Sequence, residues 1–251
     1  MDRTDLEGSL SASQVRRLYA STLPELGVEY ALDAEALQHA RVLRLAVGDR
    51  VQLFDGRGQS ALVTITHSSK GALRCVGSEP HHLTERTARV VLVQCMPRAG
   101  KLDDIVRMTT ELGVGAIALA VSEYSLARAG REDYKADRLE RIAIEAARQS
   151  EQAYVPQIMA PRPLAEVLAE VPDHAYRAAF VERTERALPL HLEARELWLV
   201  IGPEGGLSPT DRDLLRRASF VSTALGRSIL RTETAAVVGV ALALERFGRS
   251  R

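Results

Sequence analysis

Residues 201–211 read IGPEGGLSPTD. An apolar stretch, LWLVIG at 197–202, runs into a pair of glycines, and a helix start follows at once. Ser208 suits an N-cap, Pro209 suits the first helical position, and Asp211 can reach back to close a capping box. The stretch therefore reads as strand, tight turn and helix, the unit from which a parallel sheet is built. Gly205 and Gly206, taken alone, could do no more than turn the chain. What the stretch lacks argues against a phosphate clamp. Leu207 follows the glycines where a P-loop carries lysine and then serine or threonine. The first strand of this region, RVVLVQCM at 89–96, runs into PRAGK and not into the G-x-G-x-x-G of a dinucleotide site.

A second stretch, LGRSILRTETA at 225–235, also joins a strand (FVSTAL) to a helix (TETAAVVGVALALERFG). It places Arg227, Ser228, Arg231, Thr232, Glu233 and Thr234 between two apolar elements. Both connections leave the C-terminal ends of strands, where open α/β sheets bind ligands. Thr232 or Thr234 could serve only as an N-cap, and Glu233 only as a first-turn acid favoured by the helix dipole.

Working outward, KLDDIVRMTTEL has helical spacing at Leu102, Ile105, Met108 and Leu112. VGAIALAV is a buried strand, DYKADRLERIAIEAARQSEQ an amphipathic helix, PLAEVLAEV a helix and AYRAAFVE a strand. Continuous apolar strands alternating with helices predict a parallel sheet covered on both faces. Residues 14–86 have another texture. DRVQLFDGRGQSALVTITHSS, 49–69, alternates apolar and polar residues around DGRG and predicts a hairpin. LDAEALQHARVLRL before it predicts a short helix capped by Asp33. A small, mainly β domain thus precedes the α/β domain of 87–251, with the boundary in HHLTERTA at 81–88 and a tail at 1–13.

Lys+Arg and Asp+Glu both number 33 in the 251 residues, so no global basic field advertises nucleic acid, and only a local basic face remains open. Cys75 and Cys95 form no CxxC and sit near no histidine pair. They predict two buried thiols in a reducing cytoplasm, with neither a disulfide nor a metal site. The first residues lack the apolar core of a signal peptide, and the longest apolar run, Ala235 to Leu244, is too short to span a bilayer. A cytoplasmic protein with no membrane partner is expected.

Together, IGPEGGLSPTD and LGRSILRTETA resemble the ribosomal RNA small subunit methyltransferase E family. These are S-adenosylmethionine-dependent enzymes of the SPOUT class that methylate N3 of a uridine in 16S rRNA. HARVLRLAVGDRVQLFDGRG, 39–58, is similar to the family's PUA-like RNA-binding barrel, and PRAGKLDDIVRMTTELGV, 97–114, to the first conserved segment of its catalytic domain. The resemblance covers nearly the whole chain. It implies a trefoil-knotted parallel-sheet domain behind a PUA-like barrel, a homodimer, and 16S rRNA within the 30S subunit as partner. It implies S-adenosylmethionine held by Ile201, Gly202, Pro203, Glu204, Gly205 and Gly206, with Leu225, Gly226, Ile229, Leu230 and Thr234. The chain departs from the family at Met108, where a lysine is usual, and at Tyr124, where an arginine is usual. ARQSEQ places Arg148 and Gln152 at the ends of the usual EQ-S-x-R pattern. These departures bear on RNA contacts.

Uracil N3 lies on the Watson–Crick edge, so the target must be unpaired or flipped out. N3 also carries a proton that must leave, and Arg231 is the candidate for holding the resulting anion. Glu233 is the second catalytic candidate, and a salt bridge between the two is the plainer alternative. Glu204 could accept a hydrogen bond from the cofactor or position its loop. Arg16, Arg17, Arg41, Arg44, Arg50 and Arg57, with Arg98 and Lys101, are candidate RNA contacts, although each alone could be a solvated charge. The helix at 233–247 has Ala235, Gly239 and Ala243 at four-residue spacing, which predicts a close helix contact in a two-fold dimer. Two other functions fit the same fold: methylation of another RNA, or a non-catalytic RNA-binding or ribosome assembly role.

Overall fold

The computed structural model describes residues 15–69, 71–86, 88–98, 100–126, 134–181, 184, 187–189 and 194–246. The tail expected at 1–13 lies outside them. The chain divides after Thr84 into two compact units, two residues from the boundary read in the sequence.

In the first unit, β1 (Arg16–Tyr19), β2 (Glu29–Ala31), β3 (Arg50–Phe54), β4 (Gln59–Ser68), β5 (Leu73–Gly77) and β6 (His82–Leu83) form one six-stranded sheet. Helix α1 (Ala34–Val42) is capped by Asp33, whose carboxylate accepts the Ala36 N–H at 2.8 Å. The hairpin expected around DGRG joins β3 to β4, with Phe54 opposite Ser60. Asp55 closes the turn by accepting the N–H groups of Arg57 and Gln59. Leu18, Val51, Leu53, Val63, Ile65 and Cys75 pack inside.

The second unit is a six-stranded parallel sheet of β7 (Arg89–Cys95), β8 (Ala116–Val121), β9 (Gln157–Pro163), β10 (Tyr176–Phe180), β11 (Glu196–Ile201) and β12 (Val221–Thr223). Their order in space is β12-β10-β11-β7-β8-β9. Alternate residues of β7 face opposite sides. Val90 and Leu92 meet α2 (Lys101–Glu111), α4 (Ala136–Gln149) and α7 (Thr232–Arg246). Val91, Val93 and Cys95 meet α5 (Leu164–Ala169) and α6 (Pro209–Arg217). Both faces are covered, which is why these strands read as unbroken apolar runs. A four-residue helix, α3 (Glu123–Leu126), follows β8.

The chain runs outward from β7 through β8 to β9, then crosses to the other half of the sheet. The order reverses between β7 and β11, and ligands of open α/β sheets lie at such a switch point, outside the carboxyl ends of the strands. The SPOUT-type parallel sheet and the β domain before it are those implied by the resemblance.

The small residues of α7 correct one expectation. A Cβ on Gly239 would stand 2.6 Å from Phe180 Cε2 and 3.0 Å from Leu199 Cδ2, and Ala243 is fully buried. Gly239 and Ala243 are used inside the chain, where the helix lies close against β10 and β11, and they offer no close contact to a second copy.

Candidate functional site

The glycine turn is built as its sequence suggests. Ser208 Oγ accepts the Asp211 N–H, and Asp211 Oδ2 accepts the Ser208 N–H, both at 3.0 Å. Asp211 Oδ1 also takes the Glu123 N–H at 3.3 Å, which ties the start of α6 to the segment after β8. The N-terminus of α6 is thereby occupied by its own cap and is not open to an anion.

The connections after β11 and β12 wall a cavity of about 910 Å³. Ile201, Gly202, Pro203, Glu204 and Gly206 line it from one side, and Leu225, Gly226, Ile229, Leu230 and Arg231 from the other. Phe180, Val181, Leu207, Arg212 and Thr232 are among the further lining residues that were not singled out as cofactor contacts in the sequence. The size suits an organic cofactor or drug-sized ligand, and the lining mixes apolar side chains and backbone with Arg212, Arg227 and Arg231. Gly206 sits at φ +73°, and a Cβ there would meet nothing within 4 Å, so its backbone is open to a ligand.

Two expected contacts fall outside the wall. A Cβ on Gly205 would point at Tyr124, 3.4 Å from its Cβ, and Thr234 is exposed in the first turn of α7.

Three charges hold the two connections together. Lys101 Nζ lies 2.9 Å from Glu233 Oε2 and 3.4 Å from Glu204 Oε1. Glu204 also accepts the Arg98 N–H at 3.0 Å. The glycine loop, the start of α2 and the start of α7 are thus pinned at one point. Burial pushes the Glu233 carboxyl up, but its own backbone N–H, Lys101 and Arg231 together hold it below the usual carboxylate range. Hydrogen bonding to Glu233 raises Lys101 above its usual value, against a smaller opposing effect of burial. A depressed carboxylate in an ion pair is a poor proton acceptor. Glu233, a catalytic candidate in the sequence, is engaged by Lys101 at 2.9 Å.

Arg231 is exposed, lines the cavity and forms no ion pair among the described residues. The salt bridge to Glu233 considered for it is made by Lys101 instead.

The expected RNA contacts divide. Arg16 pairs with Asp49 at 3.1 Å, Arg50 with Glu79 at 2.6 Å, and the Arg17 guanidinium lies 4.1 Å from the Phe54 ring centroid. Arg41, Arg44 and Arg57 are exposed without ion pairs among the described residues. Of the departures, Tyr124 rests on the glycine loop, Gln152 donates to Glu111 O at the end of α2, and Arg148 lies 4.0 Å from Glu145. Met108 is half-buried on α2.

Sequence reasoning missed Gln94 and gave Thr232 no more than a capping role. Thr232 Oγ1 donates to Gly202 O at 2.7 Å, and Gln94 Nε2 donates to Thr232 Oγ1 at 3.0 Å. The signal for Gln94 was present: one amide in the otherwise apolar strand RVVLVQC. Cys75 and Cys95 are free and buried, and burial pushes the Cys95 thiol up to about 12. Among the described residues, no helix is long and apolar enough to cross a membrane, and no group of side chains could hold a metal ion.

The RNA methyltransferase domain family model matches residues 84–244, and an RNA methyltransferase PUA domain model matches residues 32–76. The chain is 29% identical over 231 residues to ribosomal RNA small subunit methyltransferase E of Mycobacterium bovis, covering 88% of each. It is 30% identical over 210 residues to the enzyme of that name from Synechocystis, covering 80% of this chain and 67% of that one. The crystal structure of ribosomal RNA small subunit methyltransferase E from Neisseria gonorrhoeae, bound to S-adenosyl methionine, matches with a TM-score of 0.83 at 25% identity, covering 90% of this chain and 95% of the other. With a family model spanning most of the chain, this sheet and these two loops, the chain belongs to the ribosomal RNA small subunit methyltransferase E family of RNA methyltransferases.

Proposed function

We propose that this protein uses S-adenosylmethionine to methylate N3 of a uridine in 16S rRNA within the small ribosomal subunit, acting in the cytoplasm as a homodimer. The observation that carries the reading is the cavity at the carboxyl ends of β10, β11 and β12, walled by the same two loops whose sequences resemble the family's. S-adenosylmethionine, when bound, supplies an electrophilic methyl group on a sulfonium. The residues fit such a group. Gly206 and Gly226 leave open space beside the backbone, and Phe180, Leu225 and Leu230 give apolar walls.

The chain's own residues do the rest. Lys101, Glu204 and Glu233 fix the loops so that the donor and the base meet in line, which lowers the entropic part of the barrier. Arg231, which forms no ion pair among the described residues, donates hydrogen bonds to a uracil oxygen. Those bonds strengthen as N3 gives up its proton to water and negative charge develops on the ring. Arg41, Arg44 and Arg57, exposed and without ion pairs among the described residues, supply phosphate contacts.

The test is calorimetry with S-adenosylmethionine and with its demethylated product, followed by mapping of methylated uridine in 16S rRNA from cells with and without the protein. Micromolar binding and loss of one modified uridine are expected. Binding without any change in 16S rRNA would point to another RNA, and no binding at all would sink the methyltransferase reading in favour of an RNA-binding role.

A further inference from the structure

Gln94 is fully buried at the C-terminal end of β7, in register with Ile201, the last residue of β11. Leu92 before it on the same face packs in the apolar cluster under α2 and α7. A leucine at 94 would add to that cluster. The chain places an amide there instead, and its Oε1 has no hydrogen-bond partner among the described residues. A buried acceptor left unpaired is destabilising, so the amide is not there to stabilise the fold by itself.

Its two donors show what it does. Nε2 gives one hydrogen bond to Cys95 O at 2.8 Å and one to Thr232 Oγ1 at 3.0 Å. The Cys95 carbonyl can only accept, so it fixes which way the amide faces. Facing that way, the amide takes a lone pair of the Thr232 hydroxyl and leaves its proton for Gly202 O, 2.7 Å away. The relay links the end of the central strand, the first residue of the glycine loop and the first residue of α7. Gly202 and Thr232 both line the cavity, and Arg231 is the residue before Thr232. We infer that Gln94 is a positioning residue for methyl transfer: through the Thr232 hydroxyl it sets the glycine loop and Arg231 in the geometry that accepts the cofactor. The inference rests on the functional reading of the cavity.

Gln94→Met keeps the length of the side chain and removes both donors. Thr232→Val removes the hydroxyl and keeps the shape. In the cofactor-free full chain, hydrogen exchange in Gln94→Met is expected to quicken at 203–207 and at 231–235 and to stay unchanged in β7 and β8. S-adenosylmethionine affinity falls about tenfold, the scale of one lost buried hydrogen bond, while the melting temperature holds within about 2 °C, because an unpaired acceptor leaves along with the two donors. The double variant is no weaker than Thr232→Val, since both changes break one relay. Wild-type affinity and exchange in Gln94→Met overturn the inference, as does quickened exchange spread through the whole sheet, which would mark a plain core residue. Should Gln94→Met fail to fold, Thr232→Val decides: unchanged exchange at 203–207 overturns it. A wild type that binds no S-adenosylmethionine removes the functional reading alone, while the exchange comparison still tests the relay.

Discussion

Gly205 and Gly206 are identical neighbours with different reasons to be glycine. At Gly206 the backbone is left-handed and the missing side chain leaves open space in the cavity wall. A valine there is strained in φ and projects into the ligand's volume, so Gly206→Val is expected to weaken S-adenosylmethionine binding at least 100-fold, a loss of about 3 kcal/mol from strain and clash together. At Gly205 a Cβ makes ordinary contact with Tyr124, so Gly205→Ala should bind within about threefold of wild type. Calorimetry on both variants separates the two roles. Two glycines in a row show a turn in sequence, but not which of them faces the ligand, because that depends on a single backbone angle. Arg231 was legible as a polar residue between apolar elements. That it forms no ion pair among the described residues was not legible, since Glu233 two positions on is the obvious mate and Lys101 takes its hydrogen bond from 132 residues away. Arg231→Ala is expected to lower methylation of 30S subunits by about 10²–10³, the scale of removing one oxyanion donor, with cofactor affinity nearly intact. Arg231→Lys should recover part of that rate, as a point charge replaces a planar fork. Equal loss of cofactor binding and rate would make Arg231 a binding residue.

At the scale of elements, the Lys101 contact joins α2, α7 and the glycine loop, and its pH dependence follows from the two shifts. Glu233 is held below the ordinary carboxylate range, so its contribution is fully present above the unfolded value near 4.3 and is lost as pH falls through the lower folded value. Lys101 is held above its ordinary range, so its contribution is fully present below about 10.4 and is lost as pH rises through the higher folded value. The melting temperature of wild type less that of Lys101→Met should therefore be flat from about pH 5 to pH 10 and shrink at both ends. The difference corresponds to about 1 kcal/mol, because these side chains are partly solvated. A difference that falls between pH 5 and 8 would remove the ion pair from the account. The elements themselves were mostly readable, because fully buried strands and amphipathic helices leave strong patterns. The exception in the parallel sheet is β9, QIMAPRP, with two prolines and no regular alternation of burial. It is an edge strand bonded on one side only, where proline is tolerated, so nothing in its sequence had to look like a strand.

For the whole molecule, the parallel sheet and the two-unit division follow from texture, whereas the path by which the chain returns from β12 past the glycine loop into α7 does not. That path is set by contacts such as Thr232 to Gly202, which no periodicity announces. The same helix carries the argument for assembly, in a form changed by the structure. Gly239 and Ala243 face the chain's own sheet, yet α7 remains apolar around much of its circumference. Val237, Val238, Ala241 and Leu242 are only half-buried within one subunit. A helix apolar on more than one face is ordinarily covered on more than one face. The resemblance implies a homodimer, and a two-fold axis would set this face of α7 against its copy. Light scattering at micromolar concentration should then give twice the chain's 27.5 kDa. Ala241→Glu should give the single-chain mass, since two carboxylates would meet at the axis without partners. Its circular dichroism should stay that of wild type, because Ala241 is not part of the buried core. A wild type of single-chain mass would refute the dimer. A dimer that survives Ala241→Glu would move the interface to another face and leave the half-buried side of α7 without a role.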